Sequence, residues 1–508
     1  MRNSLNDRDV DPHINGKRKM TFPETPHSEF RTPSFPVSRR RFLSRAGSGC
    51  GALALAALLS RETPASASSL ADEPLAAREP HWASPAKSVI WLFMHGAPSQ
   101  IDTWDYKPQL LRRDGQELPD FDQSTGFFAG AAGPIMKSPF RFRQHGKTGT
   151  WASELFPNVV RHVDDLAFIY SCFAHENNHS PAQFQMNTGM SRMGFPCVGS
   201  WVTYGLGTEN QNLPGFLVMY DSRGRGLPKS RASSWGAGFL PGVFQGTPIS
   251  SSGPPIDNLT PPRYRTQRAQ RNQLDLIRQL NRGQIERLPG EEVFNTRIET
   301  FELAYRMQMA APEAIDLSKE SQAAHRLYGT DNPRCSEFAK QALTARRLVE
   351  RGVRFVQIYS GGFANADCWD AHQNIDANHR QFAGETDQPI AALLTDLKQR
   401  GLWASTLVIC CGEFGRLPLV QKGGTGRDHN PNAFTTWLAG GGTRPGARYG
   451  ATDEIGFEAV EDRVSVHDLH ATILHMLGMD HQRLTYRFNG RDFRLTDVAG
   501  RVIHEIVA

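Results

Sequence analysis

The sequence predicts an α/β fold: a doubly wound, mostly parallel sheet with helices on both faces and a helical insertion. Two observations lead there. Near-continuous apolar runs such as "SVIWLFM", "VRFVQIY" and "TLVICC" alternate with amphipathic stretches, the pattern of strands buried on both faces. The loops following those runs, where ligands sit in such sheets, hold most of the unusual ionisable residues.

Residues 1–67 read as an export signal. Ser38, Arg39, Arg40, Phe42 and Leu43 match the twin-arginine pattern S-R-R-x-F-L, ahead of an apolar segment from Ala46 to Leu59 and a small-x-small site at Ala65-Ser66-Ala67. That segment is shorter than the roughly 20 residues a membrane helix needs, and no other stretch qualifies, so no stable membrane insertion is expected. The expected location is periplasmic or secreted, with the twin-arginine export machinery as a transient partner. Residues 68–86, rich in Ala, Pro and Glu, read as a mobile linker, and 87–508 as the α/β domain.

Composition narrows the partners. Residues 1–67 hold 11 of the 57 basic and 6 of the 52 acidic side chains, leaving 46 of each and a formal charge of zero. The pI of 8.8 thus belongs to the leader and supports no nucleic-acid partner. The remaining cysteines are Cys172, Cys197, Cys335, Cys368, Cys410 and Cys411, with no CxxC pair among them. Adjacent Cys410 and Cys411 read as small core residues on opposite strand faces. A disulfide elsewhere, such as Cys172–Cys197, stays open.

Along the domain, "SVIWLFMHGAPSQIDTWD" reads as a buried strand, Val89 to Met94, broken by His-Gly-Ala-Pro. "DDLAFIYSCFAHENNHSPAQ" has the same form, with Pro181 suiting the first turn of a helix. "LPGFLVMY" is a third strand. From about 262 to 352 the chain turns helical with charged faces, its apolar residues at helical spacing (Leu274, Leu276, Ile277, Leu280), and reads as a cap or insertion. The α/β rhythm then resumes. After "VRFVQIYSGG" comes a helix with Ile390, Leu393, Leu394 and Leu397 on one face. "STLVICCGEFG" and "AFTTWLAGGG" are strands, and Ser465-x-x-Asp468 forms a capping box for a helix striped by Val466, Leu469, Ile473 and Leu477. There is no internal repeat. His467 and His470 lie on that helix as unfavoured ligands.

Four loops after strands carry histidine with carboxylate: His95 and Asp102; Glu176 and His179, with Ser180 beside it; Asp370 and His372; and Glu413, Asp428 and His429. Brought together by a doubly wound sheet, these suit one or two divalent ions held by nitrogen and oxygen, Zn or Mn first and Ca as a third option. Arg416 and Arg427 flank the last loop and are candidates to hold an anionic ester, with surface solvation as the alternative.

The stretches "LFMHGAPSQIDTWDYKP", "GGFANADCWDAHQN" and "GEFGRLPLVQKGGTGRDHNP", with the leader, resemble the uncharacterised bacterial family called domain of unknown function 1501, over essentially the whole mature chain. That family is similar to the alkaline phosphatase/sulfatase superfamily, so an alkaline phosphatase-like domain is implied. In sulfatases the nucleophile opens a C-x-P-S-R…T-G stretch. Here "HSPAQFQMNTG" keeps the Pro and Thr188-Gly189, but His179 holds the nucleophile position with Ser180 beside it. The resemblance makes Glu413 stand for an Asp ligand and His429 for a later His ligand. Asp370 and His372 then form the Asp/His pair, and His95 or Asp102 the first-strand ligand.

With no Cys or Ser at that position, the formylglycine mechanism is excluded. Two routes remain. Either Ser180 attacks with metal assistance, or His179 binds the metal and attack comes from a water whose pKa falls from about 15.7 towards about 7. The expected function is an exported metal-dependent hydrolase of phosphate or sulfate esters, acting on a small anionic, phosphorylated or sulfated substrate. The alternative is a non-catalytic, metal-stabilised secreted binding or scaffold protein. The oligomeric state is left open.

Overall fold

Seven side chains of the first strand, β1 (Ser88–Met94), are all buried. Since successive side chains of a strand point to opposite faces, both faces of the sheet are covered at this strand. The computed structural model describes residues 74–508 apart from 222, 251–255, 257, 258, 260–265 and 288–291. The twin-arginine segment and residues 68–73 of the expected linker lie outside the described residues.

Eight further strands join β1 in a single sheet: β2 (Leu166–Phe173), β3 (Phe216–Met219), β4 (Thr247–Pro248), β5 (Phe355–Ser360), β6 (Thr406–Cys411), β7 (Phe434–Gly440), β8 (Arg448–Tyr449) and β9 (Val464–Ser465). Their order is β8-β2-β7-β6-β1-β5-β3-β4, with β9 also paired to β2. β6, β1, β5, β3 and β4 run parallel. Among the described residues only β7 is reversed, pairing antiparallel with both β6 and β2. This reversal matters for the site. It keeps β2 parallel to β1, and it puts the beginning of β7, instead of its end, at the edge where β1, β2, β5 and β6 finish.

Helices beside the sheet include α1 (His179–Thr188), α2 (Val198–Leu206), α7 (Ile375–Gln399) and α8 (Val466–Met476). The segment between β4 and β5 contributes α3 (Gln267–Arg287), α4 (Glu292–Ile315), α5 (Gln322–Tyr328) and α6 (Ser336–Glu350). Trp91 looks towards α8, its ring centroid 6.4 Å from His470. On the opposite face, Met94 and Cys410 line a small apolar cavity with Ile390 of α7. Helices therefore cover both faces, as the strand pattern requires.

Three local expectations change. The C-terminal part of the expected insertion is core, because α6 is almost wholly buried against β5 and α7. Its charged sequence misleads because the charges pair inside. Arg346, 1% exposed, meets Glu320 at 2.7 Å, Glu350 at 2.6 Å and Asp396 at 2.9 Å. The described part of the "linker", 74–86, is packed down. Leu75 and Ala86 are buried, Arg78 donates to the Leu206 and Tyr204 carbonyls, and Trp82 lies 5.0 Å from the His475 ring. Finally, all six described cysteines are free thiols, so Cys172–Cys197 is not a disulfide.

Candidate metal centre

The turn after β1 brings His95 to the edge and is shaped for close approach. Gly96 has φ +97°, and a Cβ there would lie 2.6 Å from the Asp370 backbone nitrogen. Only glycine lets the β1 and β5 loops touch in this way. Ala97 follows with φ +64°, a conformation that side chains disfavour. Arg416 compensates by donating to the Gly96 and Ala97 carbonyls.

The glycine-rich loop after β6 closes on itself through a short antiparallel ladder, Gly415 opposite Asn430 and Arg416 opposite His429. The ladder returns His429 to the side of Glu413. Gly426 sits against the β5 loop, where a Cβ would come 2.1 Å from the Ala371 carbonyl. From β2, Asn178 caps α1 by accepting from the Ser180 amide at 3.3 Å, so His179 is the first helical residue.

Asp370 is the hub of what these loops assemble. Its Oδ1 lies 2.9 Å from His372 Nε2, 3.2 Å from His429 Nε2 and 2.8 Å from an Arg416 nitrogen. Its Oδ2 lies 3.0 Å from His179 Nε2 and 2.7 Å from Lys229 Nζ. His179 Nδ1 in turn meets Glu413 Oε1 at 2.6 Å, which also accepts from the Gly96 amide and from Gln183. His95 Nε2 accepts from the Lys229 amide at 3.2 Å. Two ligand groups arise, His179/Asp370/His429 and His372/Asp428/His429, with donor atoms within 4.8 Å of one another.

The tautomers favour a cation here. His429 Nδ1 is 2.6 Å from the Asn177 carbonyl, which can only accept, so Nδ1 carries the proton. Burial, then the His179 and Arg416 charges, push the His429 pKa well below its usual value despite the bond to Asp370. Its Nε2 is therefore a bare lone pair facing a carboxylate oxygen at 3.2 Å and His372 Nε2 at 3.0 Å. Two acceptors at that distance repel unless a proton or metal ion lies between them. Burial takes His95 down to about 4, which keeps it neutral as a ligand must be. Burial raises Asp370, but Arg416 and His179 outweigh it and hold the carboxyl well below its ordinary range. Glu413, also penalised by burial, is held down at about 2 by the His179 hydrogen bond and charge. Among the described residues, the buried atoms His95 Nδ1 and Glu413 Oε2 have no hydrogen-bond partner, and His179 Nε2 meets only the Asp370 carboxylate, at 3.0 Å. A nitrogen/oxygen donor set with orphaned atoms fits Zn or Mn.

Of the residues singled out from sequence, His95, His179, Asp370, His372, Glu413, Asp428 and His429 meet at this edge. Asp428 accepts from the His429 and Phe128 amides. Asp102 is placed elsewhere. Its oxygens are taken by Arg427 at 2.7 Å and Ser99 at 2.5 Å, with Asp102 and Arg427 both fully buried. Neither Arg427 nor Arg416 faces solvent, so as placed they brace loops and do not hold a substrate. Ser180 donates to the Lys229 carbonyl at 3.4 Å and has no base beside it among the described residues. Sequence reasoning missed Lys229, in the loop after β3. Its side chain is 16% exposed, and its ammonium bridges Asp370 and Asn365. The available signal was position, since "GRGLPKS" follows the end of a parallel strand.

Fold and site together define an α/β protein with a buried histidine–carboxylate cluster at one edge of its sheet. The chain belongs to the family described as Protein of unknown function (DUF1501), whose model matches residues 86–507. No curated protein matches it. Among solved structures it is similar to Ps i-CgsB in complex with k-i-k-neocarrahexaose, with 11% identity, 78% of this chain and 72% of that one covered, and TM-score 0.33. It is also similar to the lipoteichoic acid synthase LtaP from Listeria monocytogenes, with 9% identity, 86% and 81% covered, and TM-score 0.30. For alkaline phosphatase from the Antarctic bacterium TAB5 the values are 9% identity, 77% and 98% covered, and TM-score 0.31. Likenesses at these TM-scores carry no functional inference.

Proposed function

We propose that this protein is a metal-dependent hydrolase of phosphate or sulfate esters, exported by the twin-arginine route and acting outside the cytoplasm. The observation that supports it most is geometric: His429, its Nδ1 committed to the Asn177 carbonyl, sets Nε2 against His372 Nε2 and Asp370 Oδ1 within 3.2 Å. His372, His429, Asp370 and His179 would hold the ion, with His95, Glu413 and Asp428 around them. A bound divalent ion supplies Lewis acidity towards an ester oxygen and lowers the pKa of water.

The residues of the chain then have distinct tasks. Glu413 fixes His179 through Nδ1 and leaves Nε2, 3.0 Å from Asp370 Oδ2, as the atom that would face the ion. Lys229, partly exposed, meets an anionic oxygen from the solvent side. Arg416 keeps Asp370 ionised. Ser180 has no activating partner, which favours attack by water over attack by the hydroxyl.

A second reading rests on one observation. Asp370 already accepts from Lys229 and Arg416, so the cluster can be satisfied without catalysis, as in a metal-stabilised scaffold. A screen of phosphomonoesters, phosphodiesters and sulfate esters with added Zn or Mn separates the two readings. Turnover that His179→Ala abolishes supports the hydrolase, and absence of any turnover supports the scaffold.

A further inference from the structure

The loop over residues 118–131 leaves two neighbouring aromatic rings in water, Phe127 at 44% and Phe128 at 42% exposure. Neither belongs to a hydrophobic core cluster. Apolar rings left in solvent need a reason, and their position supplies one. The Phe127 ring lies 5.5 Å from the His429 ring, tilted by 38°, and Phe128 meets His372 edge-on at 5.2 Å. The two phenyl rings stand 5.0 Å apart at 84°, forming a corner at the rim of the cluster.

The corner is held by the site itself. The Phe128 amide donates to Asp428 Oδ2 at 2.9 Å. Asn177, whose carbonyl holds His429, donates its side-chain amide to the Gly126 carbonyl at 3.0 Å and the Thr125 carbonyl at 3.3 Å. A Cβ on Gly126 would come 2.4 Å from Asp428 Oδ2, so a glycine is what lets the loop lie this close. The same groups thus fix the metal-facing imidazoles and the aromatic corner, and the two are set in register.

We propose that Phe127 and Phe128 determine specificity by receiving the organic part of the ester, and that this part is an aryl ring. The inference rests on the hydrolase reading and adds the substrate class. Two phenyl rings at right angles offer a guest one face and one edge, the arrangement that suits a flat aromatic ring. They carry no hydroxyl or amide for the polar rim of a sugar. A ring guest bound at the cluster through its anionic group extends outward past the two imidazoles and onto the corner.

The test uses phosphonates, which bind without being hydrolysed. Calorimetry on the zinc- or manganese-loaded protein compares phenylphosphonate, methylphosphonate, a hexose phosphonate and inorganic phosphate. Phenylphosphonate is expected to bind about tenfold tighter than methylphosphonate, the gain an aromatic contact supplies. In the Phe127→Ala/Phe128→Ala protein that preference falls to near unity while phosphate affinity is unchanged. A preference absent from the wild type, or surviving in the double variant, overturns the assignment and leaves the hydrolase reading standing. Tighter binding of the hexose phosphonate overturns the aryl class. Loss of phosphate affinity in the double variant shows that the rings only prop the loop, which also overturns it. If the wild type binds neither phosphate nor any phosphonate, nor sulfate in a parallel titration, the hydrolase reading falls and this inference with it.

Discussion

Replacing Asp370 by Asn keeps the shape of the hub and removes its charge. The consequences follow from its neighbours. Arg416 is fully buried, and Asp370 is its ion-pair partner at 2.8 Å. Stripping one member from a buried pair costs about 3–5 kcal/mol. Arg416 keeps its bonds to the Gly96, Ala97 and Arg427 carbonyls, so the lower end, about 3 kcal/mol, is expected in chelator. Metal adds a second difference. An ion at a thousandfold excess over its Kd stabilises the wild type by about 4 kcal/mol, and a variant without the carboxylate that faces His179, His372 and His429 is expected to lose that gain. Urea unfolding at pH 7 should therefore show a gap of about 3 kcal/mol with EDTA, widening to about 7 kcal/mol with Zn or Mn. A gap that metal leaves unchanged refutes the hub as a ligand, and a chelator gap under about 1 kcal/mol refutes its structural role.

Other outcomes can be stated more briefly. Arg427→Met strands the buried Asp102 carboxylate and should destabilise by about 3–5 kcal/mol; adding Asp102→Leu should restore much of that, with metal content unchanged in both proteins by elemental analysis. Ser180→Ala should keep turnover within about twofold, whereas His179→Ala should lower it by about a hundredfold or more; the reverse order would make the serine the nucleophile. Burial takes His470 down to about 3, so the unfolded chain binds a proton below its ordinary 6.5 that the folded one refuses. Stability should fall as pH drops from 6.5 towards 3, by about 5 kcal/mol in all from this group. His470→Gln, able to keep the bond to the Met186 carbonyl, should flatten that limb in chelator by about 1.4 kcal/mol per pH unit.

What could be read in the sequence was whatever local pattern controls. Apolar runs ending in His95, Asp370 and Glu413 gave both strands and site, because parallel strands end at a common edge. His429 was legible for a less direct reason. It precedes a strand, and only the reversal of β7 brings a strand's beginning to that edge. Pairing of charges across distant segments was not legible. Asp102 looked like a ligand and Arg427 like a substrate holder because nothing local shows that they neutralise each other over 325 positions. The same blindness made α6 look like part of a cap or insertion, since Arg346 finds two of its three carboxylates on the segments before and after the helix. Lys229 was overlooked because a lone lysine in a polar loop has no pattern until Asp370 is placed beside it.

The central claim, that these imidazoles and carboxylates grip a divalent ion, meets its most direct test in elemental analysis of the purified protein. The account expects at least one equivalent of Zn or Mn per chain, retained through dialysis and lost in a folded His429→Ala variant. Wild-type protein free of metal that takes up none from either salt, or a variant that keeps the full complement, contradicts it.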